Sequence, residues 1–349
     1  MKRILLIGAG HAHLAALRDF AEKPLYGAQL ALVSPLPRQV YSGMLPGFLA
    51  GHYRLDEIQV DVAQVAARAY AEFIQGRIVA LDSAQHVARL EDGRELAYEI
   101  ASINAGSGVD ASIPGAEHAV PVKPFEAFLE RLQRERPARI AIAGGGVGGL
   151  ELAMALRFRG AAVTVYSDRT PLDGALAERI VPALRRMGVD YRPGMGVSAI
   201  EPGPVVIAGA AQQAFDMVAL ATGPAPHHWL PPSGLQVDAR GFVEVDATLR
   251  SVSNAAVFAA GDCASLKEHP EPKSGVFAVR QGETLVENLR RGLTRDALKP
   301  HPARRRALQI VSCGAKYAIA ERGSWSAQGR WVWRWKDWLD RRWLRSFTR

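Results

Sequence analysis

The segment 139–151, with the sequence RIAIAGGGVGGLE, joins a short apolar run to a cluster of glycines and then to a helix-forming stretch. The run Arg139–Ala143 predicts a parallel strand that is buried on both faces. Gly144, Gly146 and Gly149 fill the frame G-x-G-x-x-G, in which the first glycine makes a tight turn, the second lets the backbone approach a diphosphate, and the third lets the helix pack on the strand. The segment therefore predicts a dinucleotide-binding unit, with the diphosphate at the positive N-terminus of the helix.

A similar unit opens the chain. The run Lys2–Ile7 predicts a buried strand, the sequence GAGHAH follows at residues 8–13, and helical spacing continues over His11–Ala21. His13 stands where the third glycine of the frame would be, so this match is weaker taken alone. The repetition of strand, glycine loop, helix and strand indicates an internal duplication and hence two bound dinucleotides.

This pattern predicts an α/β fold of two Rossmann-like three-layer domains, the second inserted in the first, plus a small C-terminal α+β segment. We expect the first domain to comprise residues 1–115 and 235–300, the second residues 116–234, and the C-terminal segment residues 301–349. Residues 38–54 are predicted to form a loop and 73–102 short strands. The other predicted elements are strands over Gln29–Val33, Ala162–Tyr166, Met217–Leu220 and Ala256–Ala260, helices over Phe125–Glu135 and Val276–Arg291, and a connector over 292–306.

The composition, with 48% hydrophobic and 22% charged residues, is that of an ordinary foldable chain. No apolar run reaches 18 residues, so we expect no transmembrane helix. The apolar run after the charged N-terminus ends at Gly8, which is too short for a signal peptide and favours a cytoplasmic location. The two cysteines, Cys263 and Cys313, form no CxxC or CxxxxC pair, so neither a thiol relay nor a metal site is predicted.

The residue that would bind a nucleotide ribose is not acidic in either unit. Ser34 follows the second strand of the first unit, and Ser167 follows that of the second. Arg169 is suited to pairing with a 2′-phosphate, whereas Asp168 favours the unphosphorylated ribose. The choice between NADH and NADPH stays open on this evidence.

Three further motifs follow predicted strands. They are Asn104–Ser107 (NAGS), Ala221–Gly223 (ATG) and Val257–Asp262 (VFAAGD). Asp262 stands at the C-terminal edge of a strand, where a carboxylate is well placed to accept a hydrogen bond from a cofactor hydroxyl.

With these motifs in view, the chain resembles the FAD-dependent pyridine nucleotide-disulfide oxidoreductase superfamily. It is most similar to the branch of type II NADH dehydrogenases and sulfide:quinone reductases, and within it to the oxidoreductase encoded with, or fused to, selenide, water dikinase. The resemblance spans the whole chain and rests on the glycine loops and on residues 41–51 (YSGMLPGFLAG), 272–282 (PKSGVFAVRQG) and 329–342 (GRWVWRWKDWLDRR). The redox disulfide of the superfamily is missing, so disulfide reduction is not expected.

The resemblance implies FAD in the first unit and NADH or NADPH, as substrate, at the second. The implied FAD contacts are Gly8, Gly10, His11, His13, Ser34, Pro35, Ser42, Met44, Ile78, Ala105, Gly106, Gly261, Asp262, Lys273, Val276 and Phe277. The expected NAD(P)H contacts are Gly144, Gly146, Val147, Gly149, Glu151, Ser167, Arg169, Thr222 and Gly223. Lys273, Glu151 and Gln281 are implied to form the surroundings of the flavin and the acceptor. The helix near Val276 is implied to direct its positive end at the flavin, where it would stabilise the reduced, anionic ring.

The last nineteen residues, 331–349, hold six Lys/Arg, two Asp and five of the seven tryptophans. Helical spacing places Trp331, Trp335, Trp338, Leu339, Trp343 and Phe347 on one face, with Arg334, Asp337, Arg341 and Arg345 opposite. Such a helix is suited to a membrane interface, on the inner face of the cytoplasmic membrane. The alternative is that the tryptophans pack on the protein or at a homodimer contact. Nucleic-acid binding is not expected.

The resulting hypothesis is an NAD(P)H oxidoreductase that passes electrons from flavin to a small acceptor such as a quinone. Two alternatives stay open: a reductase of selenium or sulfur compounds, and a nucleotide-sensing partner protein with vestigial redox activity.

Overall fold

A computed structural model describes residues 2–168, 175–302 and 307–348, and every structural statement below refers to these residues. Within them the helices, in chain order, are α1 (His11–Glu22), α2 (Leu45–Leu49), α3 (Val62–Arg68), α4 (Phe125–Glu135), α5 (Val147–Phe158), α6 (Ala175–Met187), α7 (Gly275–Thr294) and α8 (Arg330–Arg345). Short 3-10 turns lie at Ser42–Met44, Asp56–Ile58, Ala116–His118, Pro231–Ser233 and Gly261–Cys263.

Two five-stranded parallel sheets organise the chain. The strand order of the first sheet is Val257–Ala259, Ile100–Ile103, Lys2–Ile7, Ala28–Ser34 and Glu72–Gln75. The order of the second is Val120–Pro121, Met217–Leu220, Arg139–Ala143, Ala162–Ser167 and Asp190–Pro193. Each sheet has the first strand of its glycine-loop unit at the centre, so both loops lie at carboxyl edges where parallel sheets bind ligands. The predicted α/β fold with two Rossmann-like units is confirmed.

The smaller sheets are antiparallel except for one parallel pair, Val243–Val245 with Ala264–Leu266. Three of them have three strands: Ile78–Asp82, Val87–Leu90 and Glu95–Ala97; Ala199–Glu201, Val205–Ala208 and Ala211–Ala214; and Gln309–Ser312, Ala318–Arg322 and Trp325–Gly329. Two have two strands: Arg38–Val40 with Gln59–Asp61, and Gly108–Val109 with Pro224–Ala225. The last pair joins a segment before the second large sheet to one after it. The domain boundaries given above stay a proposal, which these strand orders support.

The apolar runs are buried because their sheets are covered on both faces. Ile4 to Ile7 are 2% exposed or less, as are Ile140 to Ala143. The first sheet shares one hydrophobic cluster with α1, α7 and the antiparallel strands over 78–90. The second shares one cluster with α5 and α6 and another with the antiparallel strands over 199–208. Burial of such strands supplies most of the favourable free energy of folding.

The prediction of a loop over residues 38–54 was wrong in part. The segment contains a short strand, Arg38–Val40, and the helix α2, whose start accommodates a proline. Alternating or helical spacing is too short here to be recognised, and pairing with Gln59–Asp61 forms the strand. Part of the predicted connector, residues 303–306, lies outside the described residues. Among those described, no helix combines the length and the hydrophobicity needed to cross a bilayer.

Candidate functional site

The second glycine loop, residues 144–149, links the central strand of its sheet to α5. Gly144 has a φ of 128°, and a Cβ there would lie 2.1 Å from the carbonyl oxygen of Ala221. A Cβ on Gly149 would lie 2.1 Å from the carbonyl oxygen of Gly144. A Cβ on Gly146, in contrast, would have no atom of the described chain within 4 Å. The packing of the protein itself therefore requires Gly144 and Gly149, whereas Gly146 borders open space that a ligand can enter.

The start of α5 is available to an anion. Its N-cap is Gly146, which has no side chain to bond the first amide groups. These amides have no acceptor within the helix, and the helix dipole adds partial positive charge at the same end. The arrangement fits the diphosphate of a dinucleotide next to Val147.

Of the other residues predicted for this site, Ser167 is buried under the loop, and Thr222 and Gly223 are bonded to a neighbouring segment. Ser167 is 5% exposed, and its side chain lies 2.4 Å from where a Cβ of Gly145 would be, so it packs beneath the loop. The hydroxyl of Thr222 donates to the carbonyl oxygen of Asp110, and the Gly223 carbonyl accepts the amide of Asp110 at 3.0 Å. Arg169 lies outside the described residues.

The first glycine loop, residues 8–13, is built around the side chain of Asn104, which the sequence placed in the motif Asn104–Ser107 without giving it a role. A Cβ on Gly8 would lie 2.5 Å from the Cα of Ala105, and one on Gly10 would lie 2.3 Å from Oδ1 of Asn104. The same Oδ1 accepts the amides of Ala12 at 3.0 Å and of His13 at 3.2 Å, at the start of α1. Asn104 therefore accepts two of the backbone amides that could otherwise bind a phosphate. The start of α1 thus leaves fewer free amide donors for an anion than the start of α5 does.

His13 replaces the third glycine of the frame with a structural side chain. It is fully buried, and its Nδ1 lies 2.6 Å from the carbonyl oxygen of Gly8 while its Nε2 lies 2.8 Å from Oγ of Ser102. Burial lowers the pKa of His13 to about 4, so the ring is neutral near pH 7. Because both ring nitrogens are bonded to the protein, we remove the His13 side chain from the proposed FAD contacts.

Three segments meet beside the first loop: the start of α1, the start of α7 and residues 41–44. A Cβ on Gly275 would lie 3.5 Å from the ring of His11 and 3.8 Å from Oγ of Ser42. The His11 ring also lies 5.1 Å from that of Trp343, which stacks on Tyr41 at 4.4 Å between centroids. Desolvation lowers the pKa of His11 to about 4. Two helix starts and a neutral imidazole therefore meet beside the first glycine loop.

Asp262 has a cationic partner that no sequence motif indicated. Nζ of Lys123 lies 3.0 Å from Oδ2 of Asp262 and 3.3 Å from Oγ of Ser107, and Ser107 also donates to Asp262 at 3.3 Å. Lys123 is in a segment of ordinary composition before α4, so only the tertiary structure brings it here. Its charge suits an anionic cofactor lying along the first loop.

The residues expected near the flavin on α7 and before it are partly turned away. Nζ of Lys273 donates to the carbonyl oxygen of Ala264 at 2.8 Å and lies 3.7 Å from the ring centroid of Phe242. Burial lowers the pKa of Lys273. Phe277 is buried, whereas Val276 is exposed. The Lys273 ammonium is therefore held by Ala264 and Phe242.

Gln281 faces the interior. It is 4% exposed, its carbonyl oxygen accepts the amide of Gly261 at 2.6 Å, and its amide group donates to Oε2 of Glu271 at 2.8 Å. Both ends of the Gln281 side chain are therefore engaged by the protein, and its place in the surroundings of the flavin and the acceptor stays a prediction.

Five other predicted FAD contacts divide into core and surface positions. Met44 and Ile78 are buried members of the hydrophobic core. The hydroxyl of Ser34 is turned to the carbonyl oxygen of Leu36 at 3.1 Å, and Pro35 beside it is exposed. A Cβ on Gly106 would meet no described atom within 4 Å, so Gly106 borders open space next to the first loop.

Glu151 lies where α5, α8 and the C-terminal sheet meet. Its Oε1 accepts the amide of Ser312 at 2.7 Å, and burial raises its pKa. Nζ of Lys336, on α8, donates to Oδ2 of Asp340 at 2.7 Å and to the carbonyl oxygen of Gly43. Burial opposes the charge of Lys336, but attraction by Asp340 and Glu151 outweighs it and the pKa of Lys336 is raised. A charged lysine and a glutamate with a raised pKa thus lie together beside residues 41–44.

Both cysteines are structural. Burial raises the pKa of Cys263 to about 11 and that of Cys313 to about 12, so both are thiols at neutral pH. Neither forms a disulfide. The thiolate is the reactive form, so neither thiol is activated here, and the absence of a thiol relay stays a prediction.

The helix α8 packs on the protein along a face that includes only part of the predicted one, since Trp335, Trp343 and Phe347 pack against the core. Val332, Trp333, Asp340 and Leu344 are buried, and the hydroxyl of Tyr53 donates to Asp337 at 2.7 Å. Trp333 and Leu344, which lie outside the predicted apolar face, belong to the buried one. Trp331 and Trp338 are 55% and 53% exposed, together with the basic side chains Arg334, Arg342 and Arg345. Helical spacing did not reveal this division because Asp340 and Lys336 are buried as a pair.

Comparison with known proteins agrees with this geometry. Residues 2–282 match the family model described as "Pyridine nucleotide-disulphide oxidoreductase". An NADH dehydrogenase-like protein of Mycobacterium tuberculosis is 26% identical over 321 residues, covering 82% of this chain and 78% of the relative. The ferroptosis suppressor protein 1 of Taeniopygia guttata is 27% identical over 256 residues. The chain spans 66% of the length of this second relative, and 41% of a mercuric reductase of Acidithiobacillus ferrooxidans that it also matches.

Among solved structures, the sulfide:quinone oxidoreductase of Aquifex aeolicus superposes with a TM-score of 0.84 at 17% identity, covering 99% of this chain and 91% of the other. An NAD-dependent persulfide reductase of A. fulgidus superposes with a TM-score of 0.77 at 22% identity, covering 92% and 64%. At this identity the likeness concerns the fold. The family match extends over both glycine loops, and the family consists of oxidoreductases that use FAD and NAD(P)H, which confirms the predicted enzyme class and cofactors. The chain therefore belongs to the pyridine nucleotide-disulphide oxidoreductase family.

Proposed function

We propose that this protein takes hydride from NADH or NADPH onto FAD and passes the electrons to a small acceptor, of the quinone class. The observation that carries the proposal is the pair of separate helix-start sites. One is the start of α5 over open space at Gly146, and the other is the meeting of α1 and α7 at His11 and Gly275. Bound FAD supplies the ability to accept a hydride and to release its electrons onward.

In this proposal the residues of the chain bind and orient the two nucleotides. The start of α5 holds the nicotinamide nucleotide by its diphosphate, and Lys123 with Asp262 holds FAD along the first loop. The positive end of α7, at Gly275, favours negative charge on the ring when it is reduced. No acid or base side chain is needed for hydride transfer itself.

The side of the site formed by α8 and residues 41–44 supports a quinone acceptor. A quinone that takes two electrons also takes two protons. Glu151, whose pKa is raised, and the charged Lys336 can hold protons within this buried region. The stacked rings of Tyr41 and Trp343 offer a flat aromatic surface nearby. A sulfur- or selenium-reducing route through protein thiols finds no comparable support, because Cys263 and Cys313 are buried thiols of high pKa.

The outer face of α8 supports docking on an anionic membrane surface. Trp331 and Trp338 are exposed, and the guanidinium of Arg342 lies 5.2 Å from the ring centroid of Trp338. Tryptophan with arginine is the combination suited to lipid headgroups. A cavity of about 940 Å³ opens between α1, α3 and α8. Basic residues outnumber acidic ones in its lining, which contains Arg18, Arg68, Arg341, Arg342 and Arg345 together with Asp19, Glu22 and Asp337.

The redox proposal is tested with purified protein under anaerobic conditions. We expect the purified protein to be yellow, or to become yellow when it is reconstituted with FAD. NADH or NADPH should then bleach the flavin, and a soluble quinone should reoxidise it. The double variant Cys263→Ser/Cys313→Ser should keep full activity, and loss of activity in it would favour a thiol-based reductase. A protein that binds FAD but is not reduced by either nucleotide would instead support a sensing role.

Membrane docking is tested by co-sedimentation with vesicles of neutral or of anionic phospholipid. We expect binding to anionic vesicles that the double variant Trp331→Ala/Trp338→Ala loses while it keeps its activity on a soluble quinone. Equal binding by the variant would refute the role of this face, and a concentration-dependent dimer lost in the variant would assign the face to a homodimer contact.

A further inference from the structure

A line of buried polar side chains runs along the inner face of α7. Gln281, Thr284 and Asn288 are all 8% exposed or less. Their spacing of three and four residues places them on one helix face, where apolar side chains would be expected. Buried polar groups are costly unless bonded, so their partners indicate what this face is for.

The lower part of this line fastens the chain that follows α7. Nδ2 of Asn288 donates to the carbonyl oxygens of Thr248 and Lys299, both at 2.8 Å, and its Oδ1 accepts the amide of Lys299 at 2.8 Å. These bonds hold the backbone at Thr248 and, two residues before His301, at Lys299, and none of them reaches Gly261 or Asp262 directly.

The upper part leads to the turn that carries Asp262. His301 lies with its Nδ1 3.0 Å from Oγ1 of Thr284 and its Nε2 3.3 Å from Oε1 of Glu271. The other carboxylate oxygen of Glu271 accepts from Gln281, whose own oxygen accepts the amide of Gly261. Glu271 and His301 are almost fully buried, with side chains 5% and 3% exposed.

The turn itself needs an external partner. Gly261 has a φ of 73°, and the 3-10 turn Gly261–Cys263 begins with it. A Cβ on Gly261 would lie 2.5 Å from Nδ2 of Asn104, so the turn presses against the first glycine loop. The amide of Gly261 is held by Gln281 alone among the described residues, and the next residue is Asp262. A shift of this amide moves the carboxylate that follows it.

We propose that Gln281, Glu271 and His301 act as positioning residues that hold the turn Gly261–Asp262 in the conformation that receives the polyol chain of the flavin cofactor. The inference rests on the proposed function, in which Asp262 binds FAD. Glu271 fixes the amide group of Gln281, and His301 fixes Glu271. The connector after α7 thereby reaches the cofactor site without touching the cofactor.

The test compares FAD affinity with stability in matched variants of the full chain. Apoprotein is titrated with FAD by flavin fluorescence, and its thermal unfolding is recorded. In Gln281→Leu we expect FAD binding to weaken by about tenfold or more, which is the change in affinity expected when one buried hydrogen bond is lost. Asn288→Leu removes an equally buried polar group on the same helix. It should lower the unfolding temperature but weaken FAD binding less than Gln281→Leu does, because its bonds reach Lys299 and not the turn itself.

Two further variants separate positioning from folding. Glu271→Gln keeps the volume and can still accept from Gln281, so it should keep near-normal FAD affinity, whereas Glu271→Ala should weaken it as Gln281→Leu does. The visible spectrum of bound FAD, which reports the ring's surroundings, should shift in Gln281→Leu and Glu271→Ala only. Equal FAD affinity in the wild type and Gln281→Leu, or equal weakening in Asn288→Leu, would overturn the inference. A wild-type protein that binds no FAD would instead refute the proposed function.

Discussion

The buried imidazole of His13 allows a quantitative prediction about pH. Its pKa is about 4 in the folded protein, against about 6.5 for an exposed histidine. The folded pKa is the lower one, so the unfolded chain binds more protons between these values. The stability contributed by the neutral ring is therefore complete above pH 6.5 and is lost as the pH falls towards 4. From pH 7.5 to pH 5 this single group should cost about 2 kcal/mol of unfolding free energy.

The matched variant is His13→Gln, which can still bond Gly8 or Ser102 but does not titrate. Urea unfolding of the apoprotein at pH 7.5 and pH 5 gives four free energies. His11, with a similarly lowered pKa, titrates in both proteins and cancels in the comparison. We expect His13→Gln to be less stable at pH 7.5, since a ring that makes two hydrogen bonds is lost, and the difference to shrink by about 2 kcal/mol at pH 5. A difference that is the same at both pH values would refute the assignment of a buried neutral ring.

Further predictions concern the two nucleotide sites and α8. Gly146→Ala should fold normally but raise the KM for NAD(P)H by about tenfold or more, because its methyl group enters the space reserved for the diphosphate; steady-state kinetics check this. Gly144→Ala should instead fail to give stable protein in a thermal-unfolding assay, since its Cβ would meet the Ala221 backbone at a positive φ. Lys123→Ala should weaken FAD binding by about tenfold in a fluorescence titration while the KM for the nucleotide stays the same. Lys336→Met should slow reoxidation by quinone more than reduction by NAD(P)H in stopped-flow measurements, and equal slowing of both half-reactions would contradict its assignment to the acceptor side.

The sequence alone determined the fold class and the place of both glycine loops. Strands made of continuous apolar runs are typical of a parallel sheet that is covered on both faces. Glycines at fixed offsets are required by steric contacts within the same local unit. Gly144 and Gly149 illustrate this, because the contacts that exclude a Cβ come from the strand and helix of the same unit and from its neighbouring strand. The roles of the cysteines could also be inferred, since no second cysteine lies at a useful spacing.

The tertiary structure alone decided which side chains surround the sites. Asn104 caps α1, Lys123 pairs with Asp262 and His301 reaches Gln281 through Glu271, in each case across many residues of chain. Such contacts depend on how separate elements pack, and local spacing carries no trace of them. The same reason explains why helical spacing did not identify the whole buried face of α8: periodicity shows that a helix has two faces, whereas only the packed neighbours decide which of them is covered.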